Sequence, residues 1–139
     1  MHRKDFISTV GFSVAAVCTG CLAACSKSNS ITAAPAPSGV NFNIDLSTGL
    51  LNVGDAKQSS GVLVVRLATG NTASSFTAVQ VACTHEGTSI NYNPLLNEFV
   101  CPLHGSIFTT SGAVVQGPAA SPLKKYTIVV TNSTLNVTG

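Results

Sequence analysis

The chain has 139 residues, enough for one domain and hardly for two. Charged residues make up only 9% of it against 45% hydrophobic, with Gly 12, abundant Ser and Thr, and no Trp. That composition fits a small β-rich globule and speaks against a disordered or long-helical protein. A formal charge of +2 without a dense basic cluster gives no sign of nucleic acid as a partner, and Lys124-Lys125 reads as a solvated edge.

The first 25 residues differ in kind from the rest. "HRKDF" is a short basic start, and an apolar run from Phe6 to Ala24 follows, ending in "LAAC". This is the layout of a secretory signal over residues 1–24, with a charged head, an apolar stretch and small residues at the cleavage site. Cysteine directly after Leu22-Ala23-Ala24 resembles the lipobox of bacterial lipoproteins, which implies that Cys25 becomes the lipidated mature N-terminus. One acyl chain holds a membrane only marginally, so such anchoring needs more than one. An uncleaved transmembrane helix ranks second, because the run is barely long enough to span. "SKSNSITAAPAPSG" then reads as a flexible tether over residues 25–39, too polar and proline-rich to bury a core.

From residue 40 onward, β-branched or alternating runs recur between turn residues: "VNFNIDL", "GVLVVRLA", "FTAVQVA", "EFVC", "GAVV", "YTIVVT" and "TLNVT". Their lengths predict antiparallel strands in a sandwich or small barrel, an all-β fold, with a C-terminal hairpin turning at Asn132-Ser133. No long amphipathic helical stretch follows the tether.

Removal of residues 1–24 leaves three cysteines, Cys25, Cys83 and Cys101, and two histidines, His85 and His104. Every unlipidated cysteine and every histidine of the mature chain then falls in two short runs, "CTHEG" and "CPLHGS". In an exported protein two cysteines usually read as a disulfide. A disulfide accounts for two of these residues, a metal site for all four. Two thiolates and two imidazoles suit tetrahedral zinc or an iron–sulfur cluster. Zinc fingers usually group Cys with Cys and His with His, whereas here each run supplies one of each.

C-T-H-x-G with C-P-x-H-G-S is similar to the motif pair of the Rieske [2Fe–2S] proteins. The resemblance implies one cluster per chain, bound by a subdomain of about residues 80–122 within a Rieske domain at 40–139. It implies that Cys83 and Cys101 ligate the inner iron, and His85 and His104 the outer one. Gly87 and Gly105 would let the loops turn tightly, Pro102 would stiffen the second loop, and Gly117-Pro118 would begin a loop covering the cluster. Ser106 matches a hydroxyl that donates toward a bridging sulfide in high-potential members. Phe108 stands where those members carry a tyrosine, so one potential-raising hydrogen bond is missing. Thr88 and Leu103 occupy the positions of the disulfide that joins the loops in respiratory members.

Missing that bridge, and carrying a lipid anchor, the chain resembles a stand-alone or accessory carrier more than a subunit of a quinol-oxidising complex. "RKDFI" partly resembles a twin-arginine export signal, with Lys4 where a second arginine is expected. The reading is therefore one-electron transfer by an exported, membrane-anchored carrier or by the electron-transfer subunit of an oxidoreductase. Its partner would be a redox protein or a membrane quinol/cytochrome system, at the periplasmic or extracytoplasmic face. The alternative is a structural zinc-binding exported lipoprotein, and a metal-free adhesive lipoprotein comes third. No nucleophile–base pair stands out, since both mature histidines are committed to metal and Asp45, Asp55, Glu86 and Glu98 are scattered in sequence.

Overall fold

A computed structural model describes Ala33 and residues 35–139. The expected signal segment, the lipidation at Cys25 and most of the tether lie outside the described residues. Among the described residues no helix is long and apolar enough to cross a membrane.

Among the described residues ten strands follow one another: β1 Asn41–Asp45, β2 Ala56–Ser59, β3 Val62–Arg66, β4 Phe76–Gln80, β5 Asn91–Asn93, β6 Glu98–Val100, β7 Ile107–Thr109, β8 Val114–Gln116, β9 Thr127–Thr131 and β10 Thr134–Thr138. A 3₁₀ turn, Ala73–Ser75, leads into β4. The strands form three antiparallel sheets, ordered β1-β10-β9, β2-β3-β4 and β5-β6-β7-β8. Fold class and hairpin thus agree with the sequence, and Thr131 pairs with Thr134 across Asn132-Ser133.

The run "VLVV" explains the layering. Successive strand residues face opposite sides. Val62 and Val64 pack with Ile44, Phe76, Leu135 and Val137 in one core, while Leu63 and Val65 pack with Val79, Ile90, Phe99 and Phe108 in another. β3 is buried along its whole length because its sheet is the middle layer. Each buried aliphatic side chain there contributes about 1.5–3 kcal/mol. The strand is fed by a two-residue loop in which Ser60 and Gly61 both have positive φ, 50° and 75°. That is the backbone that matches the twist of a hairpin.

Two features bind the layers. Arg66, buried under Phe76 with its guanidinium 4.6 Å from the ring centroid, donates to the carbonyls of Leu50 and Gly70 and to Asn71 Oδ1. The four-stranded sheet is inserted between Gln80 and Lys124, which close its neck. Gln80 N–H donates to the Lys124 carbonyl at 2.9 Å, and Lys124 N–H returns to Gln80 Oε1 at 2.9 Å. β2, β5 and β7 were not expected from the sequence. β2 is an exposed edge with no apolar alternation, and the other two are three residues long.

Candidate metal centre

The two Cys–His runs fold into two copies of one turn at the same end of the inserted sheet. In the first, Cys83 N–H donates to the Thr88 carbonyl at 2.8 Å and Gly87 N–H to the Cys83 carbonyl at 2.8 Å. In the second, Cys101 N–H donates to the Ser106 carbonyl at 2.8 Å and Gly105 N–H to the Cys101 carbonyl at 3.0 Å. Offsets of four and five residues from each cysteine are the same in both turns. Closing such a turn needs positive φ at its fourth step, 79° at Gly87 and 74° at Gly105, where glycine carries no steric penalty. The first turn is pinned by the Ala82–Ser89 bridge, the second by β6 and β7 on either side.

These turns bring the four residues together in a graded environment. Cys83 is fully buried and Cys101 nearly so, and both thiols are free. His85 is half-buried and His104 more open, with ring centroids 5.1 Å apart and planes at 77°. Burial pushes the Cys83 thiol above its ordinary value, and the neighbouring Cys101 thiol adds to that. Hydrogen bonds from the His85 backbone N–H and the Ser106 hydroxyl oppose it. Two buried sulfurs side by side cannot both ionise without a cation between them. The donor set therefore fits a positively charged metal group, soft sulfur inside and imidazole outside.

A third segment straps both turns. Ala119 N–H donates to Ser106 Oγ at 3.0 Å, and Thr84 Oγ1 donates to the Ser121 carbonyl at 2.6 Å. Gln116 Nε2 reaches the Gly105 carbonyl at 3.1 Å. Ser106 is wholly buried, its hydroxyl oxygen accepting from the strap. Phe108 is wholly buried beneath the turns, opposite Phe99 across β6 and β7. Gly117 and Pro118, like Pro102, are exposed. It is Ala119 and Ser121 that touch the turns. Thr88 lends only its carbonyl to the first turn, and Leu103 is 53% exposed at the tip.

Sequence reasoning missed Thr84 and Gln116, and it marked the run Gly117 to Pro122 as a cover without naming Ala119 and Ser121 as its contacts; these bonds span 11 to 37 residues. It also left Glu86 among scattered acids, and the fold corrects that. Glu86 lies 4.0 Å from His85 Nε2 and 3.7 Å from His104 Nδ1. Pairing of β5 with β6, which sets Asn91 opposite Val100, brings the second turn beside the first, and only then does His104 meet Glu86.

An all-β domain that presents paired Cys–His turns at one end, over buried thiols and open imidazoles, has the frame of an iron–sulfur protein. The chain belongs to the Rieske [2Fe–2S] domain family, whose model matches residues 46–127. The family's cofactor is one [2Fe–2S] cluster. Among curated proteins it is similar to the cytochrome b6-f complex iron-sulfur subunit 3 of Nostoc sp., 43% identical over 53 residues, which cover 38% of this chain and 30% of that one. Among solved structures, it is similar to the cyanobacterial plasma membrane Rieske protein PetC3 from Synechocystis PCC 6803. The match has 29% identity and a TM-score of 0.56, covering 72% of this chain and 99% of that one. A hyperthermophilic respiratory Complex III chain matches at 25% identity and a TM-score of 0.54, covering 67% of this chain and 71% of that one. This kinship implies electron transfer as the class of function.

Proposed function

We propose that the chain is an exported, membrane-anchored one-electron carrier, or the electron-transfer subunit of an oxidoreductase. In this reading Cys83 and Cys101 hold the inner iron of the cluster and His85 and His104 the outer. The observation that carries it is the pairing of two like turns, with free thiols buried on the inside and imidazoles opening outward. Bound there, the cluster supplies one-electron chemistry, at about −150 to +300 mV for such centres.

The chain's own residues do the rest. Cys83 and Cys101 hold their sulfurs away from water. The Ser106 hydroxyl and the His85 backbone N–H donate toward Cys83, favouring negative charge on that sulfur. Thr84, Ser106 and the 119–121 strap fix one turn against the other without a loop disulfide. The imidazoles and the exposed Leu103 form the tip at which a redox partner, or a membrane quinol/cytochrome system, exchanges electrons. Phe108 offers no hydroxyl to the centre, so the midpoint lies below that of the respiratory members.

Residues 1–24 serve as the export signal, lipidated Cys25 and residues 25–39 as the anchor and tether, and 40–139 as the domain, its cluster-binding part about 80–122. Mössbauer spectroscopy on isotope-enriched holoprotein tests the ligand set. The expected result is two unlike iron sites, the imidazole-ligated one taking the electron. Two equivalent sites would contradict the assignment. Cys25→Ser should move the protein from the membrane to the soluble fraction; membrane retention would remove the lipid anchor.

A further inference from the structure

Glu86 stands in the first turn between His85 and Gly87, and its carboxylate is shared between both imidazoles. One oxygen is 4.0 Å from His85 Nε2 and the other 3.7 Å from His104 Nδ1. One donor atom from each of the three residues lies within 4.8 Å of the others. Among the described residues no Lys or Arg offsets that charge locally. Residues 80–122 contain two carboxylates, Glu86 and Glu98, and no Lys or Arg. The nearest lysine beyond the neck, Lys124, places its Nζ 3.0 Å from the Pro37 carbonyl and over the Tyr126 ring. Among the described residues, the Glu86 carboxylate meets those two imidazoles within 4.0 Å and no lysine or arginine. Its side chain is 26% exposed, so water screens it less than a free surface charge.

We propose that Glu86 sets the potential of the centre, its carboxylate acting through the two imidazoles to oppose the incoming electron and hold the midpoint low. The inference rests on the ligand assignment under Proposed function and adds a residue to it. Glu86 neither binds the group nor exchanges a proton in this role; it contributes a fixed negative charge beside the groups that do the binding. A charge acting this way differs from a hydrogen bond to sulfur in one measurable respect, because added salt weakens it. Glu98 provides the internal control. It carries the same charge in the same inserted sheet, but at the start of β6, opposite Asn93 and Thr109, away from both imidazoles.

The test is a redox titration of the purified full-length holoprotein, followed by electron paramagnetic resonance at fixed pH and at low and high salt. Wild type is compared with Glu86→Gln, Glu86→Asp and Glu98→Gln. Glu86→Gln should ease reduction about tenfold, an upward shift of about 59 mV for one electron. The shift should shrink at high salt, Glu86→Asp should stay nearer wild type, and Glu98→Gln should not move. An unshifted Glu86→Gln, or a Glu98→Gln shift as large, would overturn the proposal while leaving the ligand assignment intact. If Glu86→Gln loads no cluster but Glu86→Asp does, Glu86 serves assembly and not potential, which also overturns it. Absence of an imidazole-ligated two-iron signal from wild type would instead bring down the ligand assignment itself.

Discussion

Ser106→Ala removes one oxygen from the most enclosed point of the site, and the structure gives the size of two separate effects. Ser106 is 0% exposed, and its Oγ accepts the N–H of Ala119, itself buried, at 3.0 Å. Alanine leaves that N–H without a partner where water cannot follow, a loss of about 1–3 kcal/mol. In a domain of this size about 2 kcal/mol lowers Tm by roughly 6–15 °C. The same hydroxyl also works against the upward push of burial on the Cys83 thiol. One net hydrogen bond of about 1 kcal/mol favouring the more negative, reduced centre corresponds to a midpoint fall of about 40 mV. Thermal unfolding followed by circular dichroism reads the first effect and a redox titration reads the second. A variant as stable as wild type to within about 0.5 kcal/mol, with an unmoved midpoint, would refute both the strap and the hydrogen bond to sulfur.

Phe108→Tyr should raise the midpoint by restoring the hydroxyl that high-potential members carry; an unchanged titration would mean the hydroxyl does not reach the centre. Thr84→Val breaks the 2.6 Å bond to the Ser121 carbonyl, costing about 1 kcal/mol and speeding cluster loss on dilution into chelator, measured by visible absorbance. Arg66→Met strips three hydrogen bonds and the stacking over Phe76 from the basal core. It should cost about 3 kcal/mol in denaturant unfolding while leaving the midpoint where it was. In the cluster-free chain the folded-state pKa of Cys83 is raised above its ordinary 9.0, by burial first. The sign follows: the stability from the neutral thiol is complete below pH 9.0 and is lost as pH climbs through the raised value. The stability difference between cluster-free wild type and Cys83→Ser should be constant below pH 9.0 and change with pH only in that alkaline window.

The fold was legible wherever a strand has an inside. "VLVV" and "TIVVT" announce themselves because burial demands β-branched or aliphatic side chains, on both faces in the first case. β2, "AKQS", carried no such mark, because an exposed edge asks nothing apolar of its residues. "NYN" and "IFT" were too short to show a period, and only their pairing with "EFV" makes them strands. The four candidate donors stood out in the sequence because every cysteine and histidine after Cys25 falls in the two short runs. Their supports could not be. Thr84 finds Ser121 across 37 residues and Ser106 finds Ala119 across 13. Such bonds are fixed by how the inserted sheet folds back on its neck, not by local spacing. Glu86 was hidden for the same reason: its meaning lies in His104, which belongs to the other turn.

What the paired turns hold decides the function of the domain. Electron paramagnetic resonance of the ascorbate- or dithionite-reduced full-length protein, with iron, sulfide and zinc assayed on the same sample, addresses that at once. The expected outcome is a rhombic signal of the imidazole-ligated two-iron type, with two irons and two sulfides per chain. A colourless protein holding one zinc, after expression with ample iron, would contradict it.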